Sequence, residues 1–421
     1  MTREAGPAGP LADAGAPTQG WSDGPALALV AFLLFLPLGL HLPYFPVWLA
    51  ARGLSQAEIA AALATPLVLR VLATPLVAHF ADRRGVGLAL FCCALALTGA
   101  YLQLFAARGF APVFFGAVVV SLAMGSMPAL ADALTISTIR LAEAEGGRAP
   151  AYGHVRVWTS IGVLLVMLAA GGLARAFPGE RLILPLIGLS GFTLLAGAFA
   201  AARLNRPHAL GARKGGRLTE DTARLRLAVT VIAAASLIQA SHAQVYAFGT
   251  LEWRAAGLSA GAIGLAWAIG VASESVLFLA AGRLFRSPRC AVALLLAGAA
   301  GGALRWTAMS FSPPGALVIA LQTLHALSFG ATTVGAVLLL GSLSSPTHRA
   351  RMQGWLASAS ALSLAAATFA AGALTSAFGA RAYLAMAGLA AAGGAAALVA
   401  SRLKARLPPA GAPERYSAAA S

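Results

Sequence analysis

The chain has 421 residues, 59% of them hydrophobic and only 10% charged. Soluble globular domains carry about 25% charged residues, so composition excludes that class and points to a chain dissolved in lipid. A net charge of +16 would fit a nucleic-acid binder, but the basic residues are segregated along the chain in a way that argues against one.

In chain order, residues 1–26 are rich in Pro, Gly and Ala. They lack the basic start and adjoining apolar stretch of a signal peptide, so a disordered tail is expected there, with a second at 403–421. Between the tails, runs of the length a bilayer crossing needs, about 20 residues, recur twelve times. They are 27–51, 57–80, 87–106, 111–139, 152–174, 181–202, 224–250, 260–282, 289–309, 315–342, 351–377 and 381–402. With the N-terminus inside, twenty-one of the thirty Lys and Arg fall in cytoplasmic segments and six in external loops. Arg70, Arg156 and Arg305 remain within or at the ends of spans. This is the positive-inside asymmetry, and it predicts cytoplasmic termini. The basic charge is therefore topological, and no nucleic-acid partner is expected.

The polar stretch from Arg203 to Arg226 divides the spans six and six, and Thr219-Glu220-Asp221 within it resembles a helix start. The predicted organisation is an N-terminal six-helix domain at 27–202, a basic linker at 203–223 and a second six-helix domain at 224–402. An internal repeat supports it: Gly53-Leu54-Ser55 followed by Ile59 matches Gly257-Leu258-Ser259 followed by Ile263 at a constant offset. The same offset aligns Arg70 with Glu274, two mid-membrane charges of opposite sign. Paired halves around a central site are the ground plan of many secondary transporters.

Ionisable residues inside a membrane are candidate functional groups. Glu274 lies in GVASESVLFLAAGRLF, near the midplane of span 8, as Arg70 does in span 2. Burying a lone carboxylate disfavours its charged form, the property a proton-coupled carrier requires. Asp132 and Arg156 lie at similar depth near the inner ends of spans 4 and 5 and are read as a structural clamp. Three spans carry polar-aromatic stripes at i, i+3, i+7: His41, Tyr44 and Trp48; Gln239, His242 and Tyr246; Gln322, His325 and Phe329. Lipid offers these groups no hydrogen-bond partner, so the stripes are expected to face a central cavity. Pro37, Pro43 and Pro46 are expected to break span 1 near its stripe.

Ser55-x-x-Glu58 reads as a capping box opening span 2. His79, His154, His208 and His348 read as solvated at interfaces or loops. Cys92, Cys93 and Cys290 give no disulfide framework or metal spacing. No HExxH, phosphate-binding loop or GxSxG appears in a suitable setting, so no catalytic residues, metal or cofactor are expected.

The segment ALATPLVLRVLATPLVAHFADRRG resembles the span 2 and loop 2–3 region of the major facilitator superfamily. Asp82-Arg83 and Gly85 are kept, Ala78 stands where that signature has Gly, and its trailing basic residues are missing. HLPYFPVWLAARGLS, YGHVRVWTSIG, GVASESVLFLAAGRLF, LRW at 304–306 and LQTLHALSFG resemble the branch that holds the phenylpropionate permease, with nucleoside–proton symporters more distant. The resemblance implies an all-α membrane carrier of twelve helices in two pseudo-symmetric bundles, with proton-driven uptake. It points to Glu274 and His325 as signature positions, and to Asp82 and Arg83 as gating residues. No Pro follows a Gly in GVLLVMLAAGGLA, so the span 5 pattern of drug–proton antiporters is absent.

The resulting expectation is a monomeric carrier in a bacterial cytoplasmic membrane, importing a small organic solute such as an aromatic carboxylate. The proton gradient is its energy source. Glu274 and His325 handle the proton, Arg70 or Arg305 attracts the anion, and the stripes contact its body. Uptake of a nucleoside or sugar, efflux, and a transporter-like receptor are the alternatives.

Overall fold

The computed structural model describes residues 24–144, 150–205, 222–285, 290–343 and 349–407, and every regular element among them is helical. Residues 1–23 and 408–421 of the tails, most of the linker with Thr219-Glu220-Asp221, and His208 and His348 lie outside the described residues; residues 24–26 and 403–405, expected in the tails, instead continue the helices of spans 1 and 12. Spans 1 to 10 are Gly24–Ala51, Gln56–Arg84, Val86–Ala106, Phe110–Glu143, Tyr152–Ala176, Gly179–Leu204, Thr222–Ala255, Ala260–Ala281, Ala291–Met309 and Gly315–Leu343. A further apolar stretch, Arg351–Ala405, consists of two helices, Arg349–Phe378 and Tyr383–Ala405, joined by a single 3-10 turn at Gly379–Ala382. These are spans 11 and 12.

Spans 1–6 pack as one bundle and spans 7–12 as another. The bundles meet where span 2 lies on span 11 and span 5 on span 8, two pairings that exchange under the pseudo-symmetry. The repeat is visible in local geometry. Span 1 ends at Gly53 with φ 81° and span 7 at Gly257 with φ 85°, conformations that L side chains resist. At both ends one N–H reaches back five residues (Leu54 to Leu49, 3.3 Å; Leu258 to Trp253, 2.9 Å) and the glycine N–H three (Gly53 to Ala50, 2.9 Å; Gly257 to Arg254, 3.0 Å). That is the Schellman closure. Each next helix is then capped by serine: Glu58 N–H donates to Ser55 Oγ at 3.3 Å, and Ala262 N–H to Ser259 Oγ at 3.2 Å. Glu58 completes the capping box by accepting from Ser55 N–H at 2.8 Å.

Span 1 is interrupted at Phe35, between Gly24–Leu34 and Leu36–Ala51. Pro37 has no N–H for the carbonyl of Leu33, and the Thr193 hydroxyl of span 6 supplies that bond instead at 3.2 Å. Pro43 and Pro46 lie within the second segment without interrupting it, so of the three prolines only Pro37 adjoins a break.

Helix pairs in lipid approach closely where residues are small. A methyl on Gly39 would lie 2.6 Å from the Val163 carbonyl oxygen, fixing span 1 tightly on span 5. The cross-bundle contacts are close at the face opposite the termini. A methyl on Gly264 of span 8 would lie 2.7 Å from the Met167 carbonyl of span 5, and one on Gly372 of span 11 would lie 2.7 Å from Ala60 of span 2. Ser376 donates to Gln56 at 2.8 Å and Tyr44 to the Ala260 carbonyl at 3.0 Å across the same seam. Toward the terminal face the seam opens. Ile59, Ala60, Ala62 and Ala64 of span 2 are buried, but from Val68 to Arg84 only Ala81 is. The bundles are therefore closed at the far face and parted at the terminal face.

Candidate functional site

Two adjoining cavities lie between the bundles, sharing Leu42 and Tyr246. One, about 140 Å³, is lined by Glu274, His325, Arg305, Gln322, Trp267 and Phe329. The other, about 240 Å³, is lined by His41, Phe45, Arg70 and Thr368. A larger space of about 600 Å³ between the first turns of spans 1 and 5 is lined by Ala28, Leu29, Phe32, Val155 and Trp158. Its one ionisable side chain is His154, with no convergent set of polar groups to orient a ligand, so the central cavities are the candidate site.

The helices around the cavity depart from α geometry there. Span 7 has a turn at Ser241–His242 and a π segment at Val245–Gly249; span 10 has a 3-10 turn at Gln322–Leu324 and a π segment at Ala326–Ala331. Such segments recur at functional sites. They rotate His242, Tyr246, His325 and Phe329 into one cluster, with the His242 and His325 rings 5.2 Å apart and the His325 and Phe329 rings 5.2 Å apart.

Glu274 and His325 form the centre of the smaller cavity: Glu274 Oε2 lies 3.0 Å from His325 Nε2. On the other side of the ring, Arg305 Nη1 lies 3.3 Å from His325 Nδ1. Arg305 also donates to Gln322 Oε1, and its guanidinium stacks 4.4 Å from the Trp306 ring. Gln322 in turn donates to the Val318 carbonyl at 2.8 Å. His242 faces the Gln239 carbonyl through Nδ1 and Ser328 through Nε2, each at 3.0 Å.

Arg70 stands alone. It lines the larger cavity and makes no hydrogen bond or ion pair among the described residues. Its side chain leans on Gly125, where a methyl would lie 2.8 Å from Arg70 Cδ. The offset that aligns Arg70 with Glu274 thus brings them to adjoining cavities without pairing them. His41 also lines it, with Nδ1 2.8 Å from the Tyr101 hydroxyl and its ring stacked on Phe45.

Other stripe members lie away from the cavity. Tyr44 is bonded across the closed seam, and Trp48 donates to the Glu180 carbonyl at 3.0 Å at the far end. Gln239 donates to Thr333 at 3.3 Å. Asp132 and Arg156 are 3.5 Å apart, with Tyr152 donating to Asp132 at 2.9 Å, and both members are partly exposed where the bundles part. Asp82 and Arg83 are exposed at the terminal end of span 2.

One half-buried carboxylate, Glu252, is missing from the sequence reading. Glu252 accepts from Gln244 Nε2 at 2.6 Å, and Gln244 also donates to Thr375 of span 11 at 2.7 Å. Span 7 continues to Ala255, beyond the expected end at 250, which takes Glu252 into the bundle. An acidic residue two positions past an apolar run was the available signal.

A pseudo-symmetric pair of six-helix bundles around a polar central cavity defines a major facilitator carrier. The family model described as "MFS_1 like family" matches residues 25–385, and the chain belongs to that family. It is 29% identical over 305 residues to the "Probable 3-phenylpropionic acid transporter" of Escherichia coli (strain K12), covering 72% of this chain and 78% of the relative. It is 32% identical over 296 residues to the "Maltose permease" of Geobacillus stearothermophilus, covering 68% and 71%. Its fold matches the nucleoside transporter NupG with a TM-score of 0.72 at 15% identity, covering 90% of this chain and 99% of that one. It also matches a bacterial homologue of the human lysosomal transporter Spinster, solved inward-facing and occupied, with a TM-score of 0.70 at 14% identity, covering 93% and 100%. The chain is a multi-pass membrane transporter.

Proposed function

We propose that this transporter is a proton-coupled importer of a small organic carboxylate, working by alternating access. The observation that carries this reading is Arg70: a cation in the central cavity with no counter-ion among the described residues. Placing a charge in a membrane interior is costly unless it is paired or serves a ligand, and an anionic solute supplies the missing partner. A sugar or nucleoside leaves that charge uncompensated. The aromatic walls from Phe45, Tyr246, Trp267 and Phe329 suit an aryl body, in keeping with the relative named for 3-phenylpropionic acid.

The Glu274–His325 pair takes up the proton, with the Glu274 carboxylate as the charge it neutralises. Protonation removes a charge from the interface and biases rocking of 27–202 against 224–402, a population shift between two arrangements of the bundles. The terminal face is cytoplasmic in this reading, so the geometry described is inward-facing. The protein sits in the bacterial cytoplasmic membrane as a monomer, driven by the proton gradient without a cofactor, and Asp132–Arg156 and Asp82–Arg83 border the inner opening. The test is uptake of radiolabelled 3-phenylpropionate, maltose and uridine by proteoliposomes with an inward proton gradient. Accumulation of 3-phenylpropionate alone is expected; accumulation of maltose or uridine in its place overturns the assignment.

A further inference from the structure

The hydrogen bonds around His325 fix where its protons are. A guanidinium has only donors, so the ring nitrogen facing Arg305, Nδ1, must accept. The ring proton therefore sits on Nε2 and points at the Glu274 carboxylate, which accepts it at 3.0 Å. In this arrangement His325 is neutral and already holds the single proton it can carry. A second proton needs Nδ1, and Nδ1 is covered by a cation. His242, 5.2 Å away, is in the opposite tautomer: its Nδ1 faces a carbonyl and must donate, and Nε2, left to accept, shares the one Ser328 hydroxyl proton with the Leu324 carbonyl at 3.1 Å. Its two nitrogens are therefore both committed. The remaining titratable group lining the cavity of the Glu274–His325 pair is Tyr246 on span 7; Arg156 on span 5, beside Asp132, acts on the pair only at longer range.

We infer that Arg305 is a positioning residue that sets how many protons the His325–Glu274 pair can hold. While Arg305 bonds to Nδ1, the pair holds one proton, on Nε2. This builds on the carboxylate-import reading: an anion admitted past Arg70 competes with His325 and Gln322 for Arg305. When the anion takes the guanidinium, Nδ1 is uncovered and binds a proton from water. The imidazolium is then neutralised by Glu274 and the guanidinium by the substrate, so no unpaired charge is added to the carrier's core. Substrate and proton thereby load together, and no bond between heavy atoms forms or breaks. The orphaned Nε of Arg305, buried without a partner, is a donor still free for a second oxygen of the incoming carboxylate.

The experiment is nitrogen NMR of histidine-labelled protein in nanodiscs, with His325 assigned by its loss in His325→Gln. In the wild type without ligand at about pH 6, where an unhindered imidazole is mostly doubly protonated, His325 is expected to carry one proton, on Nε2. Arg305→Met is expected to hold two protons on that ring at the same pH, and Arg305→Lys, which keeps a charged donor, to behave as the wild type does. A proton on Nδ1 in the wild type, or identical spectra for wild type and Arg305→Met, overturns the inference. If Arg305→Met does not fold, the wild-type tautomer and the Arg305→Lys spectrum still decide it. Adding 3-phenylpropionate to the wild type is expected to bring the second proton. If the wild type neither binds nor transports that compound, the carboxylate reading fails, while the ligand-free comparison still judges the role of Arg305.

Discussion

Arg70 offers a perturbation whose effects on binding and on folding separate. Its guanidinium has no partner among the described residues, so Arg70→Met leaves no donor or acceptor stranded. The aliphatic stem that leans on Gly125 is largely kept by methionine. The unliganded variant should therefore melt within about 0.5 kcal/mol of the wild type, as substitutions that break no specific contact do. Binding is different. A hydrogen bond to a charged group is worth about 1.5–3 kcal/mol net, so an anion that uses Arg70 should bind roughly 10- to 150-fold more weakly to the variant. Tryptophan fluorescence titration with 3-phenylpropionate measures the affinity, since Trp267 lines the adjoining cavity. Thermal unfolding without ligand measures the stability. Unchanged affinity refutes the anion-binding role; a large loss of unliganded stability refutes the claim that the charge is unpaired.

Gly125→Ala pushes a methyl toward Arg70 Cδ and should weaken anion binding through displacement of the side chain, by less than Arg70→Met does; the same titration checks it. Gly264→Val forces branched carbon against the Met167 carbonyl, 2.7 Å from where a first methyl would sit, at a cost of about 1–3 kcal/mol to the far-closed form. Spin-label distances between cysteines placed at Gly172 and Gly261 should lengthen at the far face in that variant. Thr193→Val leaves the Leu33 carbonyl opposite Pro37 without its bond and should cost about 1–3 kcal/mol, read as a lower melting temperature.

The transmembrane helices were legible because bilayer thickness imposes a long apolar run on each crossing, and the Gly-Leu-Ser repeat because Schellman closure and serine capping need those residues. Glu274 and Arg70 were conspicuous as charges in apolar runs. The stripes fared unevenly for a geometric reason. Seven residues climb about 10.5 Å along a helix, so His41 reaches the cavity while Trp48, on the same face, reaches the far end. The helix irregularities in spans 7 and 10 carry no Pro at the turn itself; they follow from tertiary packing and leave no mark in periodicity. The hydrogen bond of His41 to Tyr101 joins residues sixty apart, which spacing does not reveal. Glu252 was missed through a boundary error of about one helical turn.

The central claim is that carboxylate and proton move together through Glu274. Proteoliposomes in a weakly buffered medium, with a pH-sensitive dye outside, should show external alkalinisation when 3-phenylpropionate is added to the wild type, in proportion to the compound taken up. With Glu274→Gln the compound should still bind and exchange, but the dye should not respond and accumulation against a gradient should cease. Alkalinisation and uphill accumulation by Glu274→Gln at the wild-type level would contradict the account.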